Sequence, residues 1–452
     1  MVKRENTPID AKVVSEKIAA SGIENMGKAG IRELVKLVYQ IEAETGEKFI
    51  RMEMGVPGLP APEVGIQAQI EALKRGAASR YSMIDGLPEL KEEASRFAKL
   101  FMNIDISPDS CLPTVGSMQG GFATFLVANR NNHNRKGTLF IDPGFPVQKQ
   151  QCDVLGHEYE SFDVYNYRGP KLREKLESYL KTGQISSIMY SNPNNPTWIC
   201  FTEQELQIIG ELSQKYDVTV IEDLAYFAMD FRHDYSRPGE PPYQPTVAHY
   251  TDNYVLLLST SKAFSYAGER LGLILVSDAL FNRRYPDLKR YYPTDKFGHS
   301  LIYGALYTLT AGTGHSAQYG VAAMLKAVND GQYNFVENVK EYGTRARIMK
   351  KHLVENGFDI VYEYDDEQPI ADGFYFTFSY PGFSGAELVE ELMYYGISAI
   401  SLEITGSEHS EGLRACVSQF SLDQEEDLAY RLKRFHADHP NTDHPNTDQP
   451  AG

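Results

Sequence analysis

The sequence predicts an α/β protein: a large domain with a mainly parallel central sheet covered by helices, plus a smaller α+β domain. Three observations carry that prediction. From about Pro62 to Ile274, helical patterns alternate with short strand patterns. Those strands are short, mainly apolar and bounded by Gly, Pro, Asn or Asp, as strands buried on both faces are. After Phe358 the chain changes to short strands and helices of mixed order. At 452 residues it also exceeds the roughly 100–200 residues of one domain.

The elements follow in order. The first 30 residues are polar and mixed in charge, and are expected to form a loosely ordered arm. Ile31, Leu34, Val35, Val38 and Ile41 recur at helical spacing, which predicts a helix over 30–44. The Gly and Pro residues from Gly55 to Pro60 then forbid regular structure. Helices are expected over 63–75, 87–101, 119–129, 170–180 and 203–216, and strands over 138–141, 185–191, 218–222, 254–258 and 271–276. A long helical stretch over 301–356 is interrupted near Gly331. The smaller lobe has expected strands over 373–379, 397–400 and 413–417, with helices over 386–395 and 424–434. The tail repeats Asp-His-Pro-Asn-Thr, is rich in proline, lacks an apolar anchor, and is expected to be disordered. The expected division is an arm at 1–30, the N-terminal part of the small domain at 31–60, the large domain at 61–330, the rest of the small domain at 331–437, and the tail at 438–452.

Composition narrows the partners. Lys plus Arg number 44 and Asp plus Glu 61, a net charge of −17. So acidic a chain repels a phosphate backbone, so nucleic acid is not an expected partner. Cys111, Cys152, Cys200 and Cys416 are widely spaced, which argues against a disulfide framework or a structural metal site. No apolar run reaches the ~18 residues of a membrane span, and the first 30 residues lack a signal peptide's apolar centre. The expected location is the cytoplasm.

Four segments carry chemistry. Ser259-Thr-Ser261-Lys262 through Arg270-Leu-Gly272 lies between two apolar strands, where open α/β sheets bind ligands. Its hydroxyls and Arg270 suit a phosphate, and a partly desolvated Lys262 suits attack on an aldehyde; a basic surface turn has the same composition. Asp223 directly follows an apolar strand, where a buried carboxylate needs a partner such as a protonated ring nitrogen, or else caps the next helix. Asn192-Pro-Asn-Asn195-Pro holds an extended backbone that suits Asn195 to reach a ligand oxygen; a plain proline-rich loop looks alike. Gly116-Ser117-Met118 opens a helix, which is either an anion site or a simple cap.

Taken in order, Tyr-x4-Gly-x3-Leu at 81–90, the Gly-Ser turn, Asn-Pro-Thr, Asp-x-Ala-Tyr and Ser-x-Ser-Lys with Arg eight residues on resemble the class I/II aminotransferases of fold-type I, the aspartate-aminotransferase superfamily. The similarity runs from about Ile23 to Arg434. The resemblance implies pyridoxal 5′-phosphate (PLP) as cofactor, bound covalently by Lys262, which also moves the substrate's α-proton. It implies Asp223 as partner of the pyridine nitrogen, Tyr226 and Asn195 as donors to the ring oxygen, and Phe145 as the ring's stacking partner. Gly116, Ser117, Met118, Ser259, Ser261 and Arg270 become the phosphate cup. Tyr81 would reach the phosphate of a second subunit, which implies a homodimer with shared sites. Arg414 would grip the substrate α-carboxylate, with Gly55 on the loop that closes over it. No metal is implied.

The implied reaction is ping-pong transamination between an L-amino acid and a 2-oxo acid. The same scaffold hosts C–S β-lyases and decarboxylases, which keep the cofactor and change the reaction. A cofactor-binding DNA regulator is not expected, because the segment before Ile23 is too short for a helix-turn-helix module. A dicarboxylate substrate would need a second cation: Arg283, Arg284 and Arg290 are candidates, with surface placement the competing expectation. Tyr291 and Tyr292 equally suit an aromatic pocket. One departure from the family stands out. Where the family continues Asn-Pro-Thr with Gly, this chain has Trp198, its only tryptophan. A glycine there serves a special backbone conformation or a close approach.

Overall fold

The computed structural model describes residues 4, 6–135 and 137–440. They fall into two compact units. One comprises the described residues of Pro57–Asn195 and Ile199–Glu341; the other comprises the described residues up to Val56, Pro196–Trp198, and those from Tyr342 on. The chain crosses between units at 56/57, 195/196, 198/199 and 341/342, where the sequence suggested boundaries at 60/61 and 330/331.

The larger unit is built on a seven-stranded sheet. Its strands are β1 (Cys111–Thr114), β2 (Gly137–Asp142), β3 (Glu158–Asp163), β4 (Ile185–Ser191), β5 (Thr219–Leu224), β6 (Tyr254–Ser259) and β7 (Gly272–Val276). They lie in the order β1-β7-β6-β5-β4-β2-β3. β2 to β6 run parallel, and β7 is antiparallel to both β6 and β1. All residues of β4, β5, β6 and β7 are buried, so these strands show no alternation of apolar and solvent-facing polar residues, and the few polar side chains of β4 and β5 are buried with them. Met189, Ile221, Val255, Leu257 and Ile274 form the middle of this core, each worth roughly 1.5–3 kcal/mol when buried.

Among the elements of the larger unit that sequence patterning missed are β1, β3 and the helix Pro146–Leu155. β1 contains Pro113, which an edge strand tolerates because it lacks a neighbour on one side. β3 begins Glu-Tyr-Glu and is exposed there, the charged pattern of a protected edge. The helix Pro146–Leu155 is short and polar, and starts on a proline. The helical stretch expected over 301–356 with one interruption is divided further, into a π-helical turn Ser300–Leu306 and helices Tyr307–Thr310, His315–Asn329, Phe335–Val339 and Glu341–Glu355. Gly312 (φ 124°) provides a break beyond the one near Gly331 (φ 67°).

In the smaller unit, Ile400–Ser401, Leu413–Cys416, Tyr375–Ser379 and Asp359–Ile360 make a four-stranded antiparallel sheet. Ile50–Arg51 pairs in parallel with Ile397–Ser398. Helices Ile31–Thr45, Gly385–Tyr394 and Glu425–Asp438 belong to the same unit. The expected loose arm is corrected: Ala11–Ser21 is a helix. Asp10 caps it by accepting from the amides of Lys12 and Val13, Gly22 ends it at φ 75°, and Ile9 and Val14 are fully buried. The expected tail disorder is corrected at its start. Asp438 ends a helix and accepts from the Tyr395 hydroxyl at 3.0 Å, and the His439 ring packs 4.6 Å from Phe435. The rest of the repeat lies outside the described residues. No helix among the described residues is long and apolar enough to cross a membrane.

Candidate active site

Parallel pairing brings the chemistry-bearing segments to one edge of the large sheet. In register, Ser191 pairs with Asp223 and Asp223 with Leu257, so the carboxyl ends of β4, β5 and β6 lie side by side. Asn195, Asp223 and Lys262 follow or end these three strands, and Phe145 follows β2 alongside them. β7 returns from the same edge, and its Gly272 pairs with Ser259 on one side and Thr114 on the other. That pairing puts the Gly116 turn at the same edge.

The turn after β6 is tightly stapled. Ser259 Oγ caps the short helix Thr260–Ala263 by accepting from the Ser261 amide at 3.2 Å. Thr260 Oγ1 donates across the turn to the Leu271 carbonyl at 2.7 Å. Lys262 sits half-buried on that helix. Ser265 and Arg270 hold left-handed backbone at φ 48° and 54°, strain that only a well-determined site retains.

Arg270 meets the opposite turn at Gly116. Gly116 has φ 68°, and a Cβ there would lie 2.4 Å from Arg270 Nη2. A Cβ on Gly272 would lie 2.7 Å from the Ser117 amide nitrogen. Only glycine lets these backbones and the guanidinium approach so closely. The helix Gly116–Ala128 has no side-chain cap on its first turn, so amides and dipole there face the same place as Arg270. Met118 lies on that first turn with its side chain exposed, and Phe145 is the half-buried residue that opens the helix Pro146–Leu155.

Asp223 is the electrostatic centre. It is 7% exposed, and its oxygens accept from Gln148 Nε2 at 2.9 Å and from the Ala225 amide at 3.1 Å. Both donors are neutral. Burial therefore dominates and pushes its carboxyl up to about 6. Gln148, in the first turn of Pro146–Leu155, was not singled out by sequence because a glutamine on a polar helix looks like surface. Glu222 lies next to Asp223 but faces the other way, as strand alternation requires. It accepts from Thr246 Oγ1 at 2.6 Å, the Val247 amide at 3.1 Å and Asn192 Nδ2 at 3.4 Å, so it anchors the loop that carries Asn195. Tyr226 is buried, and the Asn195 amide donates to Ser191 Oγ at 3.1 Å.

Tyr81 is 96% exposed on the larger unit. Gly55 and Arg414 belong to the smaller unit. Arg414, 1% exposed, donates through Nη2 to the Glu53 carbonyl at 2.6 Å, and its guanidinium lies over the Tyr375 ring. The three candidate second cations are surface ion pairs: Arg283 with Asp217, Arg284 with Asp295 and Arg290 with Asp287. Tyr291 is half-exposed, while Tyr292 is packed in the core.

The profile described as aminotransferase class I and II matches residues 47–431. A probable aspartate aminotransferase of Methanocaldococcus jannaschii is 23% identical over 362 residues, covering 75% of this chain and 88% of that protein. An LL-diaminopimelate aminotransferase of Natranaerobius thermophilus is 26% identical over 259 residues, covering 57% of this chain and 64% of the relative. Among solved structures, the aspartate aminotransferase of Thermotoga maritima superposes with a TM-score of 0.72 at 18% identity, over 93% of this chain and 99% of that one. The fold is thus the fold-type I architecture that the sequence predicted.

Proposed function

The chain belongs to the class I and II aminotransferases and is an enzyme, and on that premise we propose that it exchanges an amino group between an L-amino acid and a 2-oxo acid, using pyridoxal 5′-phosphate. The observation that carries the cofactor reading is Asp223: a buried carboxylate at a strand end, bonded to two neutral donors and raised to about 6 by burial. A protonated pyridine nitrogen would be a fitting positive partner for such a group. The Gly116–Arg270 approach supports the second half of the fit, because a cradle of free amides and a guanidinium suits a phosphate. Ser117, Ser259, Ser261 and the Met118 amide would complete the cup, Phe145 would stack on the ring, and Asn195 and Tyr226 would donate to its oxygen. The unit Pro57–Asn195 with Ile199–Glu341 is then the cofactor domain.

When bound, the cofactor withdraws electrons from the substrate's α-carbon and so makes its proton removable. The chain's residues do the rest. Lys262 is the residue that would hold the cofactor at rest and, once freed, would serve through Nζ as the base for the substrate's α-proton. Asp223 is the carboxylate that would pair with the ring nitrogen and favour its protonated form. Arg414 orients the substrate through its α-carboxylate, with Gly55 beside it.

A homodimer in the cytoplasm is part of the proposal. Tyr81 and Met83 are strongly exposed, and Tyr303 and Tyr307 are half-exposed. Ser82 donates to the Thr313 carbonyl and Gln119 to Thr310, which draws these segments together beside the Gly116 helix. An exposed apolar face of that kind suits a second copy. Sedimentation equilibrium of the purified chain is expected to give twice the monomer mass.

The deciding experiment is an absorption spectrum of the protein loaded with pyridoxal phosphate, before and after adding L-amino acids without an oxo acid. Loss of the long-wavelength absorbance of the lysine-bound cofactor and appearance of its amine form establishes transamination. Release of pyruvate and ammonia without an acceptor replaces it with the lyase reading. A separate test addresses the cup. Gly116→Ala forces a Cβ into left-handed backbone, at ~1–2 kcal/mol, and against Arg270. Affinity for pyridoxal phosphate is expected to fall about tenfold or more, from the loss of a charge-assisted bond. Unchanged affinity by fluorescence titration removes Gly116 and Arg270 from the phosphate site.

A further inference from the structure

Tyr375 opens the strand Tyr375–Ser379 and is 2% exposed. Its ring meets three groups at once. On the paired strand Arg414 lies opposite Thr377, so Tyr375 and Arg414 are diagonal neighbours on one sheet face. The Arg414 guanidinium carbon sits 4.6 Å from the Tyr375 ring centroid. Trp198 meets the same ring at a steep angle, with centroids 6.3 Å apart and planes at 68°. Gly55 lies against the phenol, where a Cβ would be 2.1 Å from the hydroxyl oxygen.

Trp198 is fully buried and holds φ 69°, a conformation that side chains other than glycine resist. Its indole occupies a slot that exists because position 373 is glycine: a Cβ there would lie 1.9 Å from the indole Cε2. Trp198 and Gly373 are thus mutually adapted, and what the fitted indole edge supports is the ring under Arg414. A guanidinium grips a carboxylate through two parallel N–H bonds, so its plane decides whether both form. Stacking on an aromatic face sets that plane, and the Glu53 carbonyl bond fixes one end of the fork.

We propose that Tyr375, braced by Trp198, is the positioning residue that orients Arg414 toward the substrate carboxylate. The proposal rests on the reading of Arg414 as the carboxylate-binding arginine. It assigns Trp198, the departure from the family's glycine, to substrate affinity and not to chemistry.

The test uses the cofactor-loaded enzyme with the best amino donor of the twenty standard amino acids. Tyr375→Leu is expected to raise KM about five- to twentyfold and leave kcat within about threefold, as loss of binding shared by ground and transition state does. Tyr375→Phe, which keeps the ring face, recovers most of that affinity. In an Arg414→Lys background, Tyr375→Leu adds no further rise, because the ring then has no guanidinium to orient. A fall in kcat without a KM change, or an equal KM rise in both backgrounds, overturns the proposal. If Tyr375→Leu does not fold, Trp198→Phe decides: a KM rise absent from the Arg414→Lys background supports it, and an unchanged KM overturns it. If Arg414→Lys itself leaves KM unchanged, the carboxylate reading fails, separately from the bracing of Arg414 by Tyr375.

Discussion

Lys262→Ala is expected to abolish transfer, with kcat falling by ~10³-fold or more at every amino-acid concentration. Removing a positioned base alone costs ~10²–10⁴ in rate, and this lysine is also the residue that holds the cofactor. The Ser259 cap, the Thr260 bond to Leu271 and the strand pairing of β6 with β5 and β7 hold the turn through other groups. A cooperative melt of the variant checks that the fold is retained. Lys262→Arg is expected to be as inactive, because a guanidinium stays protonated and is neither base nor nucleophile. Stopped-flow measurement of a single turnover checks both. Transfer at the parental rate in either variant removes Lys262 from the reaction and leaves the family assignment needing another base.

What the sequence made legible was chemistry out of place. An Asp at the end of an apolar strand, a Lys among hydroxyls between two strands, and a Gly-Ser turn opening a helix each contradict the simple pattern around them. The strand pairing then collects those anomalies at one sheet edge. The sequence could not reveal partners that look ordinary. Gln148 sits on a short polar helix where glutamine is expected, yet it donates to Asp223. Tyr375 stands in a run of Tyr-Phe-Thr-Phe where every aromatic reads as core. The helix Ala11–Ser21 was hidden because only Val14 of its residues is buried, too weak a periodicity to separate from a polar arm. Trp198 was visible as a departure, but its left-handed backbone and the slot opposite Gly373 depend on a contact between residues distant in the chain.

Asp223→Asn is expected to stabilise the cofactor-free protein and to cripple the enzyme. In the fold without cofactor, burial lifts the Asp223 carboxyl to about 6, whereas an unfolded Asp ionises near ~3.9. Between those values the folded state holds a proton that the unfolded state has lost, so stability falls as pH rises from ~4 to ~6. Above that window the penalty is complete and amounts to roughly 2–3 kcal/mol at most. Asparagine removes the charge, still accepts from the Ala225 amide, and can face a turned Gln148 amide. Melting of the cofactor-free variant should therefore lie above that of the parent at pH 8, and the difference should vanish near pH 4. Loading with pyridoxal phosphate should narrow or reverse the gap, because the parent alone gains an ion pair with the ring nitrogen. Transfer by the variant should drop ~10²–10³-fold, the usual cost of losing one charge placed for the transition state. A variant that is active and no more stable at pH 8 shows that Asp223 is an ordinary strand-end cap. A variant that gains stability and loses activity shows that the protein carries this buried charge for the cofactor, at the expense of its own fold.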